Sequence, residues 1–189
     1  MPPDPTQSLP PFIVSLLPQP PSSADVQAYK DLRLTALKTD PSCFSSTYER
    51  EAAFSDETWT DRLSGPGRGT LIARDPASGA LAGSATVVPA RSLPEYPVPP
   101  GVDKARMYLV FGVWVRPEHR RKGLGRKLME ACLEWIATDA DAEGPRKEPA
   151  EVWLTVSEAN GSAKKLYEEI GFEEVGEEAR GTISLRRRL

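Results

Sequence analysis

A chain of 189 residues is long enough to bury one substantial core and too short for two domains of ordinary size, so a single unit spanning 1–189 is expected. Its 24 lysines and arginines against 27 aspartates and glutamates give a net charge of −3, which argues against a general nucleic-acid or anionic-membrane binder. Two cysteines and one histidine are too few for a zinc site built on such ligands, and no metal is expected. His119 would be the sole imidazole base of any triad, yet it stands beside Arg120, Arg121 and Lys122, which oppose its protonation. The longest apolar run, Met107 to Val115, is far short of the roughly 20 residues of a membrane-spanning helix. With neither a basic start nor an apolar signal segment, the chain reads as soluble and cytoplasmic.

Eight of the 19 prolines lie in the first 21 residues, so 1–11 reads as a loose Pro-rich extension before a short strand, Phe12 to Leu17. Ser22 or Ser23 then caps a helix whose Val26, Tyr29, Leu32 and Ala36 share a face, stopped by Asp40 and Pro41. A second helical stretch covers Thr47 to Leu63. Leu71 to Arg74 and Ala80 to Val88 read as strands joined by a turn-rich connection. The Pro-rich segment 89–105 is too long for a hairpin loop; it is either a lid or substrate wall, or a disordered excursion.

Arg106 to Val115, nearly all apolar, predicts a strand buried on both faces at the centre of a sheet. Leu124, Leu128, Ala131, Cys132, Trp135 and Ile136 repeat at helical spacing from Gly123 to Ala137, which makes Cys132 a small core residue. Asp139 to Ala150 reads as a solvated acidic loop. Glu151 to Ser157 is a further strand, and Asn160 opens a helix with Ala163, Leu166, Tyr167 and Ile170 on one face, ended by Gly171. Phe172 to Val175 and Thr182 to Leu189 close the chain, with Ile183, Leu185 and Leu189 expected inward. No internal repeat is present.

The chemistry concentrates between Arg116 and Lys127, where six cations stand against one anion, a net +5 that leaves −8 for the rest. A buried strand, a basic turn with two glycines and an amphipathic helix suit a phosphate, because glycines let successive N–H groups converge and the helix N-terminus adds about half a positive charge. A Walker loop is absent, and a Rossmann turn would need a glycine where Leu128 stands. The spacing Arg120-x-x-Gly123-x-Gly125 resembles the acyl-CoA pyrophosphate loop of the GNAT superfamily of N-acetyltransferases. A second motif, Asn160-x-x-Ala163-x-x-x-Tyr167 followed by Gly171-Phe172, is similar to that family's Asn-x-x-Ala-x-x-x-Tyr helix, and together the motifs mark 106–175 as an acyl-CoA-binding core.

The resemblance implies an α/β (α+β) fold: a mixed, mostly antiparallel twisted sheet with helices on both faces, splayed at the central strand to admit acetyl-CoA. It implies that backbone N–H groups from Arg121, Lys122, Gly123, Leu124, Gly125 and Arg126 hold the pyrophosphate, with side-chain charge there, including Arg120, steering the co-substrate. The main chain of Val113, Trp114 and Val115 would pair with the pantetheine arm, and one N–H there would polarise the thioester carbonyl. Asn160 is a helix cap, a pantetheine contact, or both; Tyr167 is a core ring or places its hydroxyl near the departing sulfur.

Acetyl would pass directly to a primary amine, since Cys132 lies on a core face and Cys43 in a turn. Many members place a glutamate where this chain has Leu109, so the base is unassigned; Tyr48, Glu49 and Glu51 border the expected acceptor site, or form a solvated helix face. The acceptor is read as a small-molecule amine, with a protein or peptide amine and a non-catalytic acyl-CoA sensor as alternatives, in a monomer or homodimer.

Overall fold

The computed structural model describes residues 12–65, 67–142, 149–178 and 181–189. The Pro-rich stretch 1–11 and residues 143–148, half of the acidic loop, therefore lie outside the described residues. Seven strands form one sheet: β1 (Ile13–Leu16), β2 (Gly69–Arg74), β3 (Leu81–Pro89), β4 (Met107–Val115), β5 (Glu151–Ser157), β6 (Glu173–Glu178) and β7 (Thr182–Arg188). Their order is β1-β2-β3-β4-β5-β7-β6, so β4 is the middle strand. Every pairing is antiparallel except β4 with β5.

Among the described residues, five α-helices cover the sheet: α1 (Ser23–Thr39), α2 (Tyr48–Ala52), α3 (Asp56–Ser64), α4 (Leu124–Ala142) and α5 (Gly161–Glu169). Ser22 and Asp25 cap each other's backbone at the start of α1, a capping box that satisfies two of the orphan N–H groups of the first turn. The helical stretch expected over Thr47 to Leu63 is two helices, because Ser55 takes the N-cap position and accepts from the Thr58 N–H. That local cap interrupts an otherwise helical run. At the other end, α4 continues to Ala142, so Asp139 belongs to a helix and not to the acidic loop.

Cross-strand register sorts the side chains into two layers. On one face, Leu71, Ala85, Val87, Tyr108, Val110, Val152 and Leu154 meet α4 and α5 in one apolar cluster containing Cys132, Tyr167 and Phe172. On the opposite face, α1 and α3 cover a cluster around Trp59, Ile72 and Trp114. A separate, smaller cluster on that face joins Met107 and Leu109 to Leu93, Tyr96, Val98 and Val102 of the Pro-rich segment. This segment is a built wall rather than an excursion: Arg91 is paired with Asp139 at 2.6 Å, and Lys104 Nζ donates to the Pro94 carbonyl at 2.7 Å.

Two burial expectations fail for a geometric reason. Residues 107–110 are buried, but Phe111 is 42% exposed because β5 diverges from β4 and leaves its face uncovered. Leu189 is 37% exposed, lying past the last paired residue of β7.

Candidate active site

Two departures from regular pairing open the middle of the sheet. Ser84 pairs with Trp114 while Thr86 pairs with Phe111, so Gly112 and Val113 together oppose Ala85 in a bulge, with Gly112 at φ +62°. The parallel ladder to β5 stops at Leu109 with Trp153. Beyond it, the β5-facing edge of 110–115, which includes Val113, Trp114 and Val115, has no strand partner among the described residues. An extended, peptide-like ligand can hydrogen-bond to such an edge.

On the face shared with the Pro-rich segment, the splay opens a shallow cleft lined by Tyr96, Leu109, Phe111, Trp153, Thr155 and Ser184 among others. Among the described residues, no carboxylate or imidazole lines it. Tyr48 and Glu49 do not line it either: Tyr48 lies under the Lys38 ammonium, 4.2 Å from the ring centroid, and Glu49 is exposed. Glu51 is wholly buried, bound through both oxygens by Arg33 at 2.9 and 2.7 Å, with Arg62 3.5 Å away. Burial works to raise its pKa, but the hydrogen bonds and charge of Arg33, with Arg62 and Ser46, outweigh it and hold the carboxyl below its ordinary range. A carboxylate so engaged is a poor proton acceptor, and Glu51 is a structural group rather than a base.

On the other side of the splay lies the basic turn. Arg121 and Gly123 adopt left-handed φ values of +61° and +77°, which curl the chain into the start of the 19-residue α4. None of the N–H groups from Arg121 to Arg126 donates to another described residue, so six consecutive amides are left for an anion at a helix N-terminus. The side chains are less available than the charge count suggests. Arg120 donates to the Val115 carbonyl at 2.9 Å and pairs with Asp40 at the end of α1, where Trp114 Nε1 also donates at 2.7 Å. Lys122 donates to the Glu118 carbonyl, and Arg126 pairs with Glu169 at 2.8 Å. The expected steering role for Arg120 thus gives way to a structural tie. Gly125 differs too: a Cβ there would lie 3.2 Å from Leu166, so its smallness serves the approach of α5 to α4.

Asn160 caps α5, its Oδ1 accepting from the Ala163 N–H at 3.2 Å, while its Nδ2 donates to the Cys43 thiol at 3.4 Å. These residues, with Ser42, Ser157 and Ala159, wall a second cleft at the end of β5. Tyr167 is only 6% exposed and packs against Phe172 with ring centroids 6.0 Å apart. Its hydroxyl has no hydrogen-bond partner among the described residues, and burial raises its pKa, with the Cys132 and Cys43 thiols adding to the shift. It keeps its proton at neutral pH. Cys132 is pushed up to about 12 by burial and is inert. His119 sits edge-on to Phe12 at 5.2 Å, a packing role. Among the described residues, no three His, Cys, Asp or Glu side chains are grouped to hold a metal, and no helix is long and apolar enough to cross a membrane.

Residues 34–172 match the Acetyltransferase (GNAT) family, and the chain belongs to that family. Over 65 residues it is 35% identical to the [Ribosomal protein bS18]-alanine N-acetyltransferase of Escherichia coli, a match covering 34% of this chain and 38% of that relative's length. In structure it is similar to a GCN5-related N-acetyltransferase from Kribbella flavida, with a TM-score of 0.65, 23% identity and coverage of 94% and 98% of the two chains. A phosphinothricin acetyltransferase from Sinorhizobium meliloti in complex with AcCoA gives a TM-score of 0.67 at 18% identity, covering 94% of this chain and 88% of that one. These likenesses to solved structures show the fold.

Sequence reasoning missed Tyr96, Phe111, Trp153 and Arg33. For Arg33 a signal existed: a cation four residues from both Tyr29 and Leu37 sits on the buried stripe of α1.

Proposed function

We propose that this protein transfers an acetyl group from acetyl-CoA to a primary amine of a small molecule. The observation that carries the reading is the run of six amides, Arg121 to Arg126, that have no hydrogen-bond partner among the described residues, at the start of the helix that follows the open β4 edge. The amides hold the pyrophosphate, and the free edge at Val113 to Val115 aligns the pantetheine arm and offers an N–H to the thioester carbonyl. Tyr167, kept protonated by its burial, hydrogen-bonds or protonates the departing thiolate. Asn160 fixes the start of α5 and with it the Tyr167 ring. With no carboxylate lining the cleft, the amine's proton leaves through water.

Tyr96 and the Pro-rich wall favour a small acceptor over an extended peptide. A peptide α-amine is the second reading, favoured by the stretch shared with the bS18-alanine enzyme. Calorimetry should give micromolar binding of acetyl-CoA and of free CoA, weakening as salt rises. Absence of both at low salt removes the reading. Thiol release with small amines against alanine-terminated peptides then decides between the acceptors.

A further inference from the structure

Between the two clusters of the acceptor-side face stands a charged group that the transfer reaction does not use. The Arg33 side chain is 10% exposed, and its Nε and Nη2 are both committed to Glu51, at 2.9 and 2.7 Å. The Phe44 ring lies 4.5 Å from the guanidinium carbon. A planar guanidinium gripped on one edge and covered by a ring has its orientation fixed. Its remaining nitrogen, Nη1, has no hydrogen-bond partner among the described residues and is not sealed from solvent. Nη1 points at the β4 bulge, 3.9 Å from where a Cβ on Gly112 would sit. The neighbour of Gly112 is Phe111, the exposed floor of the cleft.

The charge around Arg33 is unbalanced. Arg33 and Arg62, the latter 34% exposed, share the one carboxylate of Glu51, which leaves a surplus of one positive charge. A surplus cation with a free, largely buried donor is stabilised by an anion brought to that donor. Phe111, Tyr96 and Trp153 offer apolar surface in the neighbouring cleft, and the open β4 edge adjoins them.

We infer that Arg33 is a specificity-determining residue: the cleft takes a primary amine that also carries a carboxylate, bound by Arg33 Nη1, with its apolar body on Phe111. Glu51 is a positioning residue, holding the guanidinium so that Nη1 stays at the β4 bulge, next to Phe111 of the cleft. This inference rests on the acetyl-transfer reading for the amine, but the anion site can be tested without turnover. N-acetyl-phenylalanine and N-acetyl-phenylalaninamide differ in the carboxylate alone, and their affinities for the full chain with CoA present are measured by NMR titration.

The acid should bind about tenfold or more tightly than the amide, the scale of one hydrogen bond to a charged group. In the doubly neutral Arg33→Gln, Glu51→Gln variant, the two affinities should converge while CoA affinity stays as it was. Equal binding of acid and amide to the wild type overturns the inference, whether or not the variant folds. So does a folded variant that keeps the preference, and so does binding of neither ligand by a protein that binds CoA. A preserved acid preference with no acetyl-CoA binding leaves the anion site standing and removes the acetyltransferase reading instead.

Discussion

On one face of the sheet, α4 and α5 lie over an unbroken apolar layer running from Leu71 to Leu185; on the other, the apolar side chains gather around Trp59 and again around Leu109, with Phe111 and the Arg33–Glu51 pair in the gap. The first face is held by area removed from water, which is non-directional and tolerant of small shifts. The second depends on a charged pair whose partners cannot be removed singly, because either one left alone is a buried, uncompensated charge. A surface that must hold its shape without filling its centre can do so with directional contacts. That is how this face keeps a cleft between the Pro-rich segment and the splayed strands.

The largest test of this contrast is Glu51→Ala. It should lower unfolding stability by about 3–5 kcal/mol, as expected for breaking a buried ion pair, with urea unfolding as the measure. Because the folded-state pKa of Glu51 is lowered, its contribution is complete above the ordinary glutamate value of about 4.3 and is lost as pH falls through the folded value. Glu51→Gln should therefore flatten the loss of stability between about pH 5 and the acid range. A loss below about 1 kcal/mol for Glu51→Ala would mean that the acceptor side is held by packing like its opposite.

Tyr167 sharpens the contrast from the other face, as a core residue with an unpaired hydroxyl. Tyr167→Phe keeps the ring, so kcat should fall roughly tenfold to a thousandfold with acetyl-CoA affinity and the unfolding midpoint nearly unchanged. Wild-type turnover in that variant would reduce Tyr167 to packing. Next in size, Gly123→Val places a β-branched residue at φ +77°, and acetyl-CoA affinity should drop about tenfold as the amides lose their convergence. Gly123 is the cleaner probe than Gly125, where Leu166 would be struck as well. An unchanged dissociation constant in folded Gly123→Val would place the phosphates elsewhere. The smallest effect is expected for Asn160→Ala, about 1 kcal/mol of stability for a lost helix cap, read from thermal unfolding. A tenfold rise in the KM for acetyl-CoA beside it would add a pantetheine contact to the cap.

Motifs with a local cause were legible from the sequence. The left-handed turn before α4, the Asn160 cap and the apolar run of β4 are each written in consecutive residues. The cleft was not legible, since Tyr96, Phe111 and Trp153 meet only through the divergence of β5 from β4, a property of pairing between distant segments. Phe111 in particular read as buried because its neighbours are. Arg120 illustrates a different limit: a charge count registers a cation but not its engagement, and Asp40, 80 residues away, takes this one. Glu51 was weighed as a base for its place near the acceptor side, and only the arrival of Arg33 from α1 shows that it is occupied.

One feature of α1 bears on how still the acceptor side is held. Over its 17 residues the helix runs about 25 Å, and it is fastened at both ends. At the first turn Asp25 is joined to Arg74 of β2 at 2.9 Å, and just past the last turn Asp40 receives Trp114 and Arg120. It is a beam clamped at both supports, and Arg33 stands near mid-span, where a free beam would bow most. Clamping the ends limits that bowing, so the guanidinium meets an arriving molecule in its working position and little rearrangement has to accompany capture.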